Sequence, residues 1–230
     1  MTPKLTGAVH TYESHALYVG PLLPSARHRH HAGQLVWAPE GITFAVDDAP
    51  ERRATVHVVP PHRWHRHGGA AWAAVLWAER DDARWDHAVA PARVSRPTTR
   101  TEARSLADAM LSSITPRDAI VARHPAVARM RRWLDASAGD DDVSVSELAA
   151  RSGLSVRQLR HRFTAEVGIN PRAYLRWRRL RRAIAAIERG ATLTRGAHEG
   201  GFADAAHFSR VFLAQFGLTP SRALSSLRRD

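Results

Sequence analysis

A pattern of glycine and apolar positions occurs twice in the C-terminal half of the chain, and it constrains the fold more than any other feature. Gly153-Leu154-Ser155 leads to Leu159, Phe163, Val167, Gly168 and Pro171. Gly201-Phe202-Ala203-Asp204 leads to Phe208, Phe212, Phe216, Gly217 and Pro220. From Leu159 to Phe208, and from each later residue to its counterpart, the spacing is 49. Such self-similarity marks one supersecondary unit used twice. Each copy reads as two helices joined by a tight turn. In the first, Ser144 with Glu147 has capping-box spacing, and Val145, Leu148 and Ala149 form the buried side. Gly153 supplies the turn, where positive φ is wanted. Ser155 with Gln158 caps the second helix, whose Val156, Leu159 and Phe163 face inward.

At about 100° per residue, the face opposite that stripe carries Arg157, His161 and Thr164, with Gln158 and Arg160 on its flanks. In the second copy Phe208, Phe212 and Phe216 face inward. Ala206, Arg210 and Ala214 face outward, flanked by His207 and Ser209. A helix mounted in this way can lay its outer face in a major groove, where arginine pairs with guanine O6 and N7. Between the copies, Arg172 to Glu188 reads as a helix about 25 Å long, of the order of the roughly 34 Å that separates successive major-groove faces. Its arginines read mainly as a solvated face, with Arg179 as a candidate phosphate contact.

Charge agrees with a polyanionic partner. The 230 residues carry 34 Lys+Arg against 22 Asp+Glu, a formal net charge of +12. From Asp118 onward there are 20 arginines against 11 acids, whereas the first 117 residues hold 14 cations against 11 acids. Arginines neutralise phosphates and release their counterions. An Arg- and Ala-rich chain with Lys4 as its only lysine also fits a bias in coding composition, so charge alone leaves both readings open. The absence of cysteine excludes disulfides, thiolate nucleophiles and thiolate metal sites. No run reaches the roughly 18 apolar residues of a membrane span, and Met-Thr-Pro-Lys opens nothing like a signal peptide, so the expected location is the cytoplasm and no membrane partner is expected.

The N-terminal half has a different texture. Ala16–Val19, Gln34–Trp37, Ile42–Val46, Thr55–Val59 and Trp72–Trp77 read as short strands. Gly20-Pro21, Pro39-Glu40-Gly41, Asp47–Pro50, Pro60-Pro61 and Gly68-Gly69 read as the turns between them. Strands at this spacing imply a small antiparallel barrel or sandwich. After Pro97, Ala103, Leu106, Ala107, Met110, Leu111 and Ile114 fall on one helical stripe ending near Pro116. That stripe either forms a dimer seam or packs back onto the strands.

Several stretches together resemble the DNA-binding domain of the AraC/XylS family of bacterial transcription regulators. They are Ser146-Glu147-Leu148-Ala149, Gly153 through Phe163, Gly168-Ile169-Asn170-Pro171 with Tyr174, Gly201 through Phe212, and Phe216-Gly217-Leu218-Thr219-Pro220. The resemblance covers about Val127 to Leu224. It implies base contacts at Arg157, Arg160, His161, Ala206, Ser209 and Arg210. Two departures stand out: Gly196 occupies a position that is usually apolar, and Ala223-Leu224 stands where an aromatic and an arginine are usual. A helix-interior glycine costs about 1 kcal/mol relative to alanine. With Ala205 and Ala206 short on its outer face, the second copy is expected to grip phosphate more than it reads bases.

His28-Arg29-His30, Gln34 and Gly41 have the spacing of a first cupin motif, with Gln34 in the usual glutamate position. Pro60 to His65 resembles the second motif, with His62 where glycine is usual. Imidazoles at i and i+2 on a strand share a face, so His28 and His30 could converge with His65 and Gln34 on a divalent metal. Alternatively, these histidines line a pocket wall or the surface. His31, His62 and His67 are expected on the other face or in a turn, exposed to solvent. Trp37, Trp64 and Trp72 are candidate linings of a small-molecule pocket, Trp77 lies in the same strand region, and core packing is the alternative for each.

The sequence therefore implies an α+β chain: a small antiparallel cupin-like β-barrel, then an all-α domain with two helix-turn-helix units joined by a long helix. The expected divisions are an effector domain over 1–97, a linker helix over 98–117 and a DNA-binding domain over 118–230. The expected function is a sequence-specific, non-enzymatic transcription regulator that binds promoter DNA and senses an unknown small molecule. It requires no cofactor, with a divalent metal open in the cupin-like domain, and its further partners would be a second copy of the chain and, for an activator, RNA polymerase. The alternatives are a metal-dependent cupin enzyme or a metal sensor fused to the same DNA-binding domain.

Overall fold

A computed structural model describes residues 7–12, 14–79, 83–88, 97–116, 124–136 and 145–224. Ser144 and the acidic loop Gly139–Asp142 lie outside them, as does the side chain of Leu148. The chain divides into two compact units: residues 1–120 with 209–230, and residues 121–208.

The first unit is built on strands β1 (Ala8–Thr11), β2 (His15–Leu22), β3 (Gly33–Val46), β4 (Arg52–Val59), β5 (His65–His67) and β6 (Ala70–Ala78). All pairings are antiparallel, in the order β1-β2-β6-β3-β4, with β5 also on β3. The expected all-β architecture is present as a six-stranded sheet, and no described strand is hydrogen-bonded between β4 and β1. Two expected turns are bulges instead. Gly20-Pro21 lies inside β2, and Pro39-Glu40-Gly41 lies inside β3, where the register with β4 shifts between Trp37 and Ile42. Proline offers no N–H to a ladder and is tolerated where pairing is interrupted, so the same residues serve a turn or a bulge. The bulge lets the first half of β3 pair with β6 and the second half with β5.

Side chains alternate across the sheet with period two. Leu17, Val19, Leu35, Trp37, Ala74 and Leu76 form one buried cluster; Tyr18, Val36, Ile42, Phe44, Ala73 and Val75 form the other. Helix α1 (Arg100–Ser112) completes the first cluster with Ala103, Leu106, Ala107 and Met110. Its stripe is buried on its own sheet. Thr99 and Glu102 close a capping box at its start. Ile114, read as the end of that helix, belongs to strand β8 (Ile114–Pro116), which pairs with β7 (Ala83–Ala88).

The helical segment comprises α2 (Pro125–Ala136), α3 (Val145–Ala150), α4 (Val156–Val167), α5 (Pro171–Glu188), α6 (Leu193–Glu199), α7 (Ala205–Phe216) and α8 (Pro220–Leu224). The boundary between the compact units falls inside α7. In the second unit, Ala126, Met130, Leu134, Leu159, Phe163 and Tyr174 form an apolar core, with Phe163 edge-on to Tyr174 at 5.6 Å between ring centroids. The Tyr174 hydroxyl donates to Asp135 at 2.8 Å, and Arg178 pairs with the same carboxylate oxygen at 2.9 Å. Arg178 thereby ties α5 to α2. Asn170 caps α5 and Pro171 occupies its first turn, where a missing N–H costs nothing. Among the described residues no helix is long and apolar enough to cross a membrane.

Candidate functional sites: a histidine cluster and two reading helices

His28 and His65 are joined by an antiparallel bridge: His28 N–H donates to His65 O at 2.9 Å and His65 N–H to His28 O at 2.8 Å. That pairing holds their rings 4.1 Å apart, and the His30 ring lies 4.9 Å from that of His65. His28 and His30 precede β3 and meet His65 through this bridge. One ring nitrogen from each of His28, His30 and His65 lies within 4.8 Å of the others. Gln34 stands at the start of β3 opposite Trp77 of β6. Its Oε1 lies 2.7 Å from His30 Nε2 and 3.1 Å from His65 Nε2, and it accepts the Trp77 indole N–H at 3.2 Å. All four predicted donors are buried, none more than 3% exposed.

The other face of each ring decides what this cluster can do. Nδ1 of His28, His30 and His65 lies 2.8, 2.7 and 3.0 Å from the carbonyls of Ala26, Ala32 and Arg63. A carbonyl only accepts, so in the neutral ring each Nδ1 carries the proton and Nε2 is the nitrogen able to bind a cation. Burial first, and then neighbouring imidazoles, bring the pKa of His28 down to about 3, that of His30 to about 4 and that of His65 to about 2. The rings are therefore neutral at pH 7. With the Nδ1 atoms donating to carbonyls, Nε2 of His30 and of His65 offers a lone pair on the side of Gln34 Oε1. Turning the Gln34 amide over would serve the imidazoles but set its NH2 against the Trp77 N–H. A Lewis acid satisfies all the groups at once, with Oε1 still accepting from Trp77. Three imidazole nitrogens and an amide oxygen suit a borderline divalent cation, and the backbone carbonyls behind the rings are the usual partners of ligating histidines.

The remaining histidines divide. His67, expected in solvent, is 8% exposed: it shares the buried face of β5 with His65, with exposed Arg66 between them, and its ring stacks on Phe44 at 5.8 Å. His31 and His62 are half-buried and face each other, with Nδ1 and Nε2 3.3 Å apart. Of the tryptophans, Trp37 meets Trp72 edge-on at 5.0 Å within the cluster that α1 covers. Trp64 is 39% exposed beneath Arg27 and Arg29. The indole that meets the predicted donors is Trp77, a contact that only the β3–β6 register reveals.

On α4, Leu159 and Phe163 are fully buried while Arg157, Gln158, Arg160, His161 and Thr164 are exposed. The capping box predicted for Ser155 and Gln158 is complete: Gln158 N–H donates to Ser155 Oγ at 3.2 Å, and Ser155 N–H donates to Gln158 Oε1 at 2.8 Å. Gln158 thus keeps only its NH2 for an outside partner. Glu166 is the one acid of α4, and its Oε2 accepts the His124 N–H at 2.9 Å. The outer face of the helix is left cationic. On α7, Asp204 Oδ1 accepts the His207 N–H at 2.6 Å in the equivalent cap position. Ala206 and Arg210 are exposed, and His207 and Ser209 are half-buried. Arg179 of α5 is half-buried as well. Gly196, the departure in α6, is a point of close approach: a Cβ there would fall 2.5 Å from Ile187 Cγ1 of α5.

Two capped helix pairs, each with a buried apolar stripe and an exposed polar face, define a double helix-turn-helix protein. A model described as a helix-turn-helix domain matches residues 148–226. The transcriptional activator NphR of a Rhodococcus species is 34% identical over 95 residues, spanning 41% of this chain and 28% of the activator's length. Among solved structures, ToxT of Vibrio cholerae superposes with a TM-score of 0.59 at 11% identity, covering 94% of this chain and all of that one. ToxT with an unsaturated fatty acid bound gives 0.58 at 11% identity over 95% of this chain and 97% of that one. These likenesses show a shared fold, an N-terminal antiparallel sheet followed by helix-turn-helix units.

Proposed function

We propose that the chain is a transcription regulator that binds promoter DNA in a sequence-specific manner and whose sheet unit senses a small ligand. The observation that carries this reading is the outer face of α4, exposed and cationic, with its one carboxylate turned away to His124. In the complex, Arg157 and Arg160 meet base edges in the major groove, and Arg179 of α5 meets phosphate. Arg210 supplies the cation of α7, between the short side chains of Ala206 and Ala214. Binding of the purified full chain to duplexes from its own upstream region, followed by fluorescence anisotropy across a salt series, tests the reading. Saturable, salt-dependent binding is expected. Equal, weak affinity for every duplex at all salt concentrations overturns it.

A second observation favours a divalent cation as the sensed ligand or as its anchor: one ring nitrogen from each of His28, His30 and His65 lies within 4.8 Å of the others, and Gln34 Oε1 lies 2.7 Å from His30 Nε2 and 3.1 Å from His65 Nε2. When bound, the cation supplies a positive charge and positions for outside ligands. The chain's own part is to hold three neutral imidazoles by their Nδ1–H groups and to orient the amide through Trp77. The donor set has no carboxylate, which favours a sensor over the alternative of a cupin enzyme. Metal analysis of untagged protein should find about one divalent ion per chain, lost in His30→Ala; substoichiometric metal in the intact protein overturns this part. A homodimer, in this reading, joins through a surface other than the buried stripe of α1, and RNA polymerase is the further partner of an activator.

A further inference from the structure

The carboxyl end of α7 and the histidine cluster belong to the same compact unit and touch. Ala26 N–H donates to Gly217 O at 3.0 Å, while the carbonyl of that same Ala26 accepts from His28 Nδ1 at 2.8 Å. One peptide residue thus holds a candidate ligand ring on one side and the cap of the second reading helix on the other. The approach is close: a Cβ on Gly217 would lie 2.4 Å from Ala26 O and 2.8 Å from His28 Nδ1. Gly217 also has φ +66°, so both space and backbone require glycine. Beside it, the Phe216 ring lies 5.6 Å from Trp77, the indole that orients Gln34, and 6.4 Å from His30. The seat therefore touches the cluster at His28, His30 and Trp77. The matching cap of the first copy, Gly168 with φ +86°, is exposed.

We infer that Ala26, Phe216 and Gly217 couple the histidine cluster to the second reading helix: a divalent cation held by His28, His30, His65 and Gln34 fixes the seat of the α7 end and thereby strengthens binding of DNA by that helix. The inference rests on the cation reading given above. Fixing the three rings fixes the Ala26 peptide, and the Ala26 peptide fixes Gly217. Arg210 remains exposed on the seated helix, so ordering α7 beforehand leaves less conformational freedom to be lost when DNA binds. Linkage makes the effect reciprocal.

The test uses the untagged full chain with Co2+ as a visible probe of occupancy and Zn2+ for the remaining measurements. Zn2+ should slow amide hydrogen exchange about tenfold both in residues 26–34 and in residues 211–218, and it should tighten binding of an upstream duplex by about fivefold or more. In Phe216→Ala the Co2+ spectrum and the protection of 26–34 should persist, while protection of 211–218 and the gain in duplex affinity are lost. Gly217→Ala should behave likewise, and Phe216→Ala stands alone if Gly217→Ala fails to fold. Protection confined to 26–34 in the unmodified chain, or a duplex affinity that is unchanged or weakened by Zn2+, overturns the coupling and leaves the cation site standing. Absence of a Co2+ spectrum removes the cation reading and the coupling together.

Discussion

The two helix-turn-helix copies obey one apolar pattern yet differ in what surrounds it. In the first, a complete Ser155–Gln158 capping box starts a helix whose outer face shows Arg157, Arg160 and His161, and whose cap glycine lies in solvent. In the second, the corresponding positions 49 residues on are Ala206, Ser209 and Arg210. His207 stands in place of Gln158, with its ring edge-on to Phe202 at 5.2 Å, and the cap glycine is buried against Ala26. Leu213, 43% exposed, takes the place of Thr164. The apolar repeat fixes a scaffold, and the residues between its apolar positions set the copies apart: the first exposes Arg157 and Arg160 on its outer face, and the second is anchored at its far end. Gly196 belongs to the same contrast. Its helix-propensity cost is offset by close packing on Ile187 and Ala183.

This contrast can be broken at several points. The largest effect is expected from Phe163→Ala, which empties a fully buried site beside Tyr174. It should cost about 3–5 kcal/mol in urea unfolding followed by circular dichroism, and a loss below 1 kcal/mol would deny the first copy its packed core. Gly196→Leu, which installs the apolar residue usual at that position, should destabilise the second copy by about 1–3 kcal/mol through overpacking against Ile187. A gain in stability would show that propensity outweighs close approach there. Arg157→Ala should weaken the preferred duplex by about 1–3 kcal/mol and relax base preference at one position. Arg210→Ala should cost less, and equal losses in a competition assay would erase the division of labour between the copies. The smallest change is expected for Ser155→Ala, about 1 kcal/mol in thermal unfolding, since it removes only the bond from the Gln158 backbone N–H to Ser155 Oγ and keeps the backbone N–H of position 155 on Gln158 Oε1.

What the sequence made legible was local or periodic. The copies could be read because apolar residues at three- and four-residue steps specify a helix face without reference to anything distant, and His28, His30 and Gln34 because they sit at short intervals. His65, 31 residues beyond Gln34, joined them only through the resemblance of Pro60 to His65 to a second cupin motif. What escaped was decided by register. Trp77 meets Gln34 only because β3 and β6 pair as they do, and His67 is buried because β5 lies along the second half of β3. The Pro39-Glu40-Gly41 bulge carries the residues of a turn, and only the strand continuing on either side distinguishes the two. The contact between Ala26 and Gly217 joins segments from opposite ends of the chain, and no local pattern announces it.

The burial of Ala103, Leu106, Ala107 and Met110 beneath the sheet bears on how copies of this chain could associate. A helix of this kind has one water-shunning side, and here it is already occupied. Two molecules approaching along α1 would find Arg104 and Asp108, paired 3.6 Å apart on its outer side, and any handshake built from such ions would loosen as the electrolyte around it thickened.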